Sequence, residues 1–222
     1  MKQGKTNFAY ETIKEKICSG QLKPLSDISE DALCEELGIS RTPIREALQK
    51  LEKEKFIYIY PRKGMIVSGI TIELIHYISE VRESIEPFVA KAVCGRLLEP
   101  WLLQMRSQFM AGPPMTSPED RKVYYSNLDG ELHHTVIHTH PNFFIHNIMN
   151  NILDHTRRIR NYTSTVNETY NVSISEHIGI IDAFLERDAE KVERLVRSHI
   201  VNARKNSILY LYGLESSDLE RG

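Results

Sequence analysis

The sequence predicts a mainly α protein in two parts. Residues 1–69 read as three short helices closed by a small β-hairpin, and residues 70–222 as an all-α antiparallel helical bundle. Three observations carry this. Residues 33–52 hold two apolar stripes at helical spacing with Gly38 between them. The runs FIYIY (56–60) and MIVS (65–68) are β-branched and aromatic, and PRKG joins them. From Thr71 onward, apolar residues recur every three or four positions almost throughout.

The first helix is expected over residues 8–19, with Phe8, Ile13 and Ile17 facing inward. Ser29 suits an N-cap for the second, and Glu30 and Asp31 fall in its first turn, where the helix dipole favours acids. Ala32, Leu33 and Leu37 supply its apolar spacing, and Gly38 the permissive backbone of its C-terminus. The third helix opens at Ser40 or Thr42, with Pro43 in the first turn, where a missing N–H costs little. Ile44, Ala47, Leu48 and Leu51 then form one buried stripe, and Arg41 and Arg45, four apart, project from another flank. Two guanidiniums at the start of an exposed helix suit the major groove of double-stranded DNA, bonding guanine O6 and N7 or clamping a phosphate. The bland alternative is a surface helix with two solvated arginines. The hairpin narrows that choice: its tip, Pro61-Arg62-Lys63-Gly64, is a basic wing. Together these elements make a winged helix-turn-helix.

GISRTPIREALQKLE followed by PRKGMIV resembles the DNA-binding domain of the GntR family of bacterial transcription regulators, over roughly residues 6–69. The resemblance implies DNA contact from Arg41 and Arg45, support from Ser40 and Thr42, and a wing with Arg62, Lys63 and Gly64. Where that family usually carries an arginine in the first helix of the pair, this chain has Asp31. The proline-glycine turn usual before that helix is here Pro24-Leu25-Ser26.

Length and composition frame the rest. A chain of 222 residues with 41% hydrophobic side chains can fill one large or two modest cores. No apolar run approaches the roughly 18 residues of a membrane span, and MKQGKTNFAYETIKEK lacks the apolar segment of a signal peptide, so a cytoplasmic protein without a membrane partner is expected. Cys18, Cys34 and Cys94 have no metal or redox spacing and read as small buried apolar residues. The net charge of −2 divides unevenly. Residues 1–69 hold 12 Lys and Arg against 10 Asp and Glu, and residues 40–63 alone hold seven against three. Positive charge is therefore concentrated on the recognition helix and wing, and a modest salt dependence of DNA binding is expected.

After a short joint at Gly69-Ile70-Thr71, a helix carries Ile75, Ile78, Arg82, Ile85, Val89 and Ala92 on one seam. A buried guanidinium is costly without an anion, so Arg82 needs either an internal carboxylate or a ligand. The stretch 112–118, GPPMTSP, reads as an exposed loop. A helix over about 119–139 places Asp129 and His133 one turn apart on its apolar face. Helices over about 173–187 and 189–212 turn His177 and His199 inward, while His134 turns away from the face of His133. A single inward histidine is more often a satisfied core residue. Three beside an aspartate are costly to bury unless something organises them, and a divalent cation does so. Three imidazoles and a carboxylate suit Zn, Ni or Mn.

The same residues carry a second resemblance. Asp129-x-x-x-His133, Glu176-His177 followed by IIDAF, and His199 in RSHIVNAR are similar to the metal-binding pattern of the FCD ligand-binding domain, over roughly residues 71–215. That all-helical domain follows the DNA reader in FadR-type GntR regulators. The resemblance implies metal ligands Asp129, His133, His177 and His199, and a small organic acid completing the coordination, with Arg82 a candidate for its carboxylate. The functional expectation is a homodimeric transcription regulator, a repressor at a near-palindromic operator, whose affinity responds to that acid. One alternative keeps the metal purely structural. A metal-dependent enzyme is the weaker alternative, because no spacing supplies a general base beside the site.

Overall fold

The computed structural model describes residues 2–114, 117–163 and 168–213. It divides into two compact units, with the boundary between Ile70 and Thr71. The mainly helical fold class read from the sequence is the one observed. Of the loop expected over 112–118, Met115 and Thr116 lie outside the described residues.

The first unit contains α1 (Lys2–Cys18), β1 (Asp27–Ile28), α2 (Glu30–Leu37), α3 (Arg41–Lys53), β2 (Ile57–Tyr60) and β3 (Gly64–Val67). Ser29 caps α2 by accepting from the Ala32 amide, and Gly38 ends it in the left-handed region at φ 63°. Ser40 is the N-cap residue of α3, although its hydroxyl makes no capping bond. Ile44, Ala47, Leu48 and Leu51 are fully buried with Ile13 and Ile17 of α1 and Phe56, so α1 braces α3. Phe8 is a correction: it is 55% exposed, and Ala9 and Tyr10 are the inward residues of that turn. Ala32 is likewise exposed, leaving Leu33 as the buried residue of α2. The hairpin pairs Ile57 with Val67 and Tyr60 with Gly64, and Gly64 at φ +111° adopts a conformation that side-chain-bearing residues rarely take. The strand β1 joins β3 antiparallel and makes a three-stranded sheet, an addition to the expected hairpin.

The second unit contains α4 (Ile72–Val93), α5 (Glu99–Ala111), α6 (Pro118–Thr139), α7 (Phe143–Thr163), α8 (Glu168–Leu185) and α9 (Ala189–Tyr212). Thr71 caps α4 through the Leu74 amide, Ser117 and Asp120 form a capping box on α6, and Asp188 caps α9 through the Lys191 amide. Pro87 inside α4 cannot donate to the Glu83 carbonyl, and the Arg197 guanidinium of α9 donates there instead at 3.2 Å. Helix α4 packs along α9, α8 against α5 and α9, and α6 against α7. Val89, Leu132, Ile137, Ile181, Val192 and Ile200 lie in the shared apolar core. Of the cysteines, only Cys18 is buried; Cys34 and Cys94 are half-buried, and all three are free thiols.

Candidate functional site

Two groups of side chains stand out, one in each unit. In the first, Arg41 and Arg45 project from the N-terminal half of α3, with side chains 63% and 60% exposed. Ser40 and Thr42 beside them are exposed, as are Arg62, Lys63 and Gly64 at the hairpin tip. Neither arginine is simply solvated. Arg41 Nη2 lies 2.8 Å from Asp31 Oδ1, and Arg45 Nε donates to both oxygens of Glu30, at 3.1 and 2.9 Å. The sequence placed Glu30 and Asp31 in the first turn of α2 for dipole reasons. Their partnership with the next helix depends on how α2 and α3 cross, which spacing within either helix does not reveal.

In the second unit, α6, α8 and α9 bring together Asp129, His133, His177 and His199. All four are buried, and one ligating atom from each lies within 4.8 Å of every other. The helical repeat explains the first two, since Asp129 and His133 are one turn apart on α6. The centroid of the His199 ring lies 4.4 Å from that of His177 and 5.4 Å from that of His133.

Each imidazole is oriented through Nδ1. His133 Nδ1 lies 2.6 Å from Glu86 Oε2, His177 Nδ1 lies 2.7 Å from the Ser173 carbonyl, and His199 Nδ1 lies 2.8 Å from Glu176 Oε2. A carbonyl accepts only, and both carboxyls stay ionised. Burial pushes Glu86 up, but Arg82 and His133 outweigh it and hold the group well below the usual carboxylate range. Burial also raises Glu176, and its bonds to His199 and Asn202 bring it below its ordinary value. Each acceptor suits a proton on Nδ1, the tautomer that turns the Nε2 lone pair toward the centre of the cluster. Two of those nitrogens, on His133 and His177, are buried with no hydrogen-bond partner; Asp129 Oδ2 approaches the latter to 3.2 Å, but not in hydrogen-bonding geometry. Asp129 is driven up by burial, yet Arg160 and His177 keep it well below its ordinary value. Burial lowers His199 to about 4, assisted by His177.

Arg82 is buried on the α4 seam, as its spacing required. Its anion is the internal carboxylate Glu86, four residues on, with Nε to Oε1 at 2.5 Å and Nη2 to Oε2 at 3.3 Å. That i,i+4 spacing was the available signal for Glu86. Arg160 of α7 ion-pairs with Asp129 and donates to the Ser126 carbonyl at 2.8 Å. A cavity of about 300 Å³ opens beside these groups, bordered by Asp129, His133, Glu131, Thr156, Arg157 and Arg160. His134, expected to turn away from the face of His133, also borders this cavity, and its ring stacks on His138 at 4.0 Å. Asn202 is committed to Glu176 at 2.6 Å.

Comparison with known proteins assigns a family to each part of the chain. A family model for the FCD domain matches residues 77–202, and one for bacterial regulatory proteins of the gntR family matches residues 5–67. The gluconate operon transcriptional repressor of Bacillus subtilis (strain 168) is 31% identical over 144 residues, 65% of this chain and 58% of that protein. The HTH-type transcriptional repressor RspR of Escherichia coli (strain K12) is 22% identical over 191 residues, 86% of this chain and 83% of its own length. A crystal structure of a GntR transcriptional regulator from Rhodococcus sp. RHA1 superposes with a TM-score of 0.78 at 17% identity, covering 92% of this chain and 98% of that one, a likeness of fold.

Proposed function

The chain belongs to the GntR family of bacterial regulatory proteins, with an FCD domain as its second part, and from that premise we propose a repressor whose operator affinity is set by a metal-bound small acid. It is a DNA-binding transcription regulator and not an enzyme, as its relatives are. No helix among the described residues is long and apolar enough to cross a membrane. In this reading two copies bind a near-palindromic duplex. Ser40, Arg41, Thr42 and Arg45 enter the major groove, and Arg62, Lys63 and Gly64 bring the wing to the backbone. Repression is taken from the relatives that carry that word in their names.

The observation that carries the sensor is the convergence of four ligating atoms whose imidazoles are pre-set by acceptors on Nδ1. A divalent cation fits this donor set, since the buried Nε2 atoms of His133 and His177 have no hydrogen-bond partner and face the Asp129 carboxylate, and Zn, Ni or Mn suits three nitrogens and one carboxylate oxygen. In a six-coordinate ion two positions remain for a small carboxylate acid, and the adjoining cavity, near the lower end of ligand-pocket volumes, has room for one. Arg82, committed to Glu86, acts on the acid through Glu86 and His133; Arg160, on the cavity wall, meets its carboxylate directly. A coupling of about 1–3 kcal/mol between acid and operator suffices for regulation.

The test uses purified full-length protein. His177→Ala and His199→Ala should each lower bound metal in elemental analysis. In wild type, a panel of small hydroxy acids should shift affinity for a duplex selected from a random library. Full metal occupancy in both variants would disprove the ligand set. Metal without any acid response would favour the purely structural metal.

A further inference from the structure

The two arginines of α3 are held differently, and the difference assigns them different tasks. Glu30 places both carboxylate oxygens on Arg45 Nε, and among the described residues neither Nη group of Arg45 bonds to the protein. Asp31 instead takes an Nη group of Arg41. A guanidinium meets guanine O6 and N7 with two parallel N–H groups, and an arginine gripped only at Nε has both Nη groups to offer. Arg45 can therefore read a base while still paired, whereas one Nη group of Arg41 is already shared with Asp31. Exposure agrees with this geometry. The Glu30 side chain is only 23% exposed and the Arg45 side chain 60%, so the anchor is fixed and the reading end is free. Glu30 is itself fixed, standing first in α2 directly after the Ser29 cap, where the helix dipole favours an acid.

We propose that Glu30 is a positioning residue for sequence readout, holding Arg45 so that its Nη pair is presented to a guanine and assigning base reading to Arg45 rather than Arg41. This rests on the DNA-binding reading of α3. Two physical effects act together. Pinning a long side chain before DNA arrives removes part of the ordering cost of the base contact. A carboxylate at the DNA surface also repels phosphates, so the pair weakens binding to every duplex and recovers the loss only where the fork meets its base. Its net effect is on discrimination more than on affinity.

The experiment uses the full-length protein, the duplex that wild type selects from a random library, and a scrambled duplex of the same composition. Arg45→Ala should abolish most of the preference between them. Glu30→Gln keeps the size and helix position of the side chain and removes its charge. It should reduce the preference about fivefold, the discrimination an exposed ion pair near the top of its range supplies, with scrambled-duplex affinity unchanged or raised. Glu30→Asp should restore part of it. A merely structural defect would instead lower both affinities together, and thermal unfolding of each variant checks this. If Arg45→Ala destroys the preference and Glu30→Gln leaves it intact, the positioning role is overturned and the DNA-binding reading stands. If Arg45→Ala leaves the preference intact, the reading of Arg45 falls, and the role of Glu30 with it.

Discussion

Glu176 shows what one side chain contributes to a site it does not join. It is half-buried, accepts from His199 Nδ1 at 2.8 Å and from Asn202 at 2.6 Å, and so fixes both the tilt and the tautomer of the imidazole. Acceptors of this kind raise the basicity of a metal-bound histidine, and their loss typically costs 10–100-fold in metal affinity. Glu176→Gln should therefore weaken metal binding by about that factor in a chelator competition, while the protein stays folded. Unchanged affinity would mean that something other than Glu176 sets the ring. Glu86→Gln is a harsher change, since it also leaves the Arg82 guanidinium buried without its counterion, a loss on the order of 3–5 kcal/mol. The inward histidines could be found from sequence because the 3.6-residue repeat fixes which face each occupies. Their acceptors could not, apart from Glu86 at i+4 from Arg82. Glu176 looks like any surface carboxylate until α8 and α9 are set side by side.

Among the elements, α2 and α3 were legible almost to the residue, because caps, a C-terminal glycine and a continuous apolar stripe all agree over residues 29–53. The strand β1 was not, since two residues carry no periodicity and owe their conformation to pairing with β3. Phe8 misled for a related reason: spacing marks it apolar and in register, but only the position of α1 on α3 decides that Ala9 and Tyr10 face the core. The crossing of α2 and α3 likewise created the Arg41–Asp31 pair. That pair competes with phosphate for the Nη2 group of Arg41. Asp31→Asn should free it and add one phosphate contact, steepening the log–log dependence of duplex affinity on salt by about 0.9, for operator and scrambled DNA alike. A salt titration in which Asp31→Asn and the wild type give the same slope would show that Arg41 does not reach a phosphate.

At the scale of the whole molecule, the histidine cluster ties stability to both pH and metal. In the metal-free protein, burial and His177 lower His199 from its ordinary value of 6.5 to about 4. A base depressed by folding binds more protons when unfolded, so its contribution is complete above about pH 6.5 and is lost as pH falls toward 4. For a shift of this size the loss is on the order of 3 kcal/mol. Glu86, Asp129 and Glu176 act in the same direction at lower pH, since each is held below its ordinary value and each loses its contribution when protonated. A bound cation requires the imidazoles to be deprotonated, so its affinity weakens as pH falls. A ligand present at about a thousand times its dissociation constant adds on the order of 4 kcal/mol to the folded state. The Tm of the chain should accordingly rise on adding Zn²⁺ or Ni²⁺ at pH 7.5, and the rise should shrink steadily toward pH 5. His199→Ala should reduce the rise at pH 7.5 and flatten the acid sensitivity of the metal-free protein between pH 6.5 and 4. An equal metal-induced rise at both pH values would place the cation at groups that do not titrate in this range, and so outside the imidazole cluster.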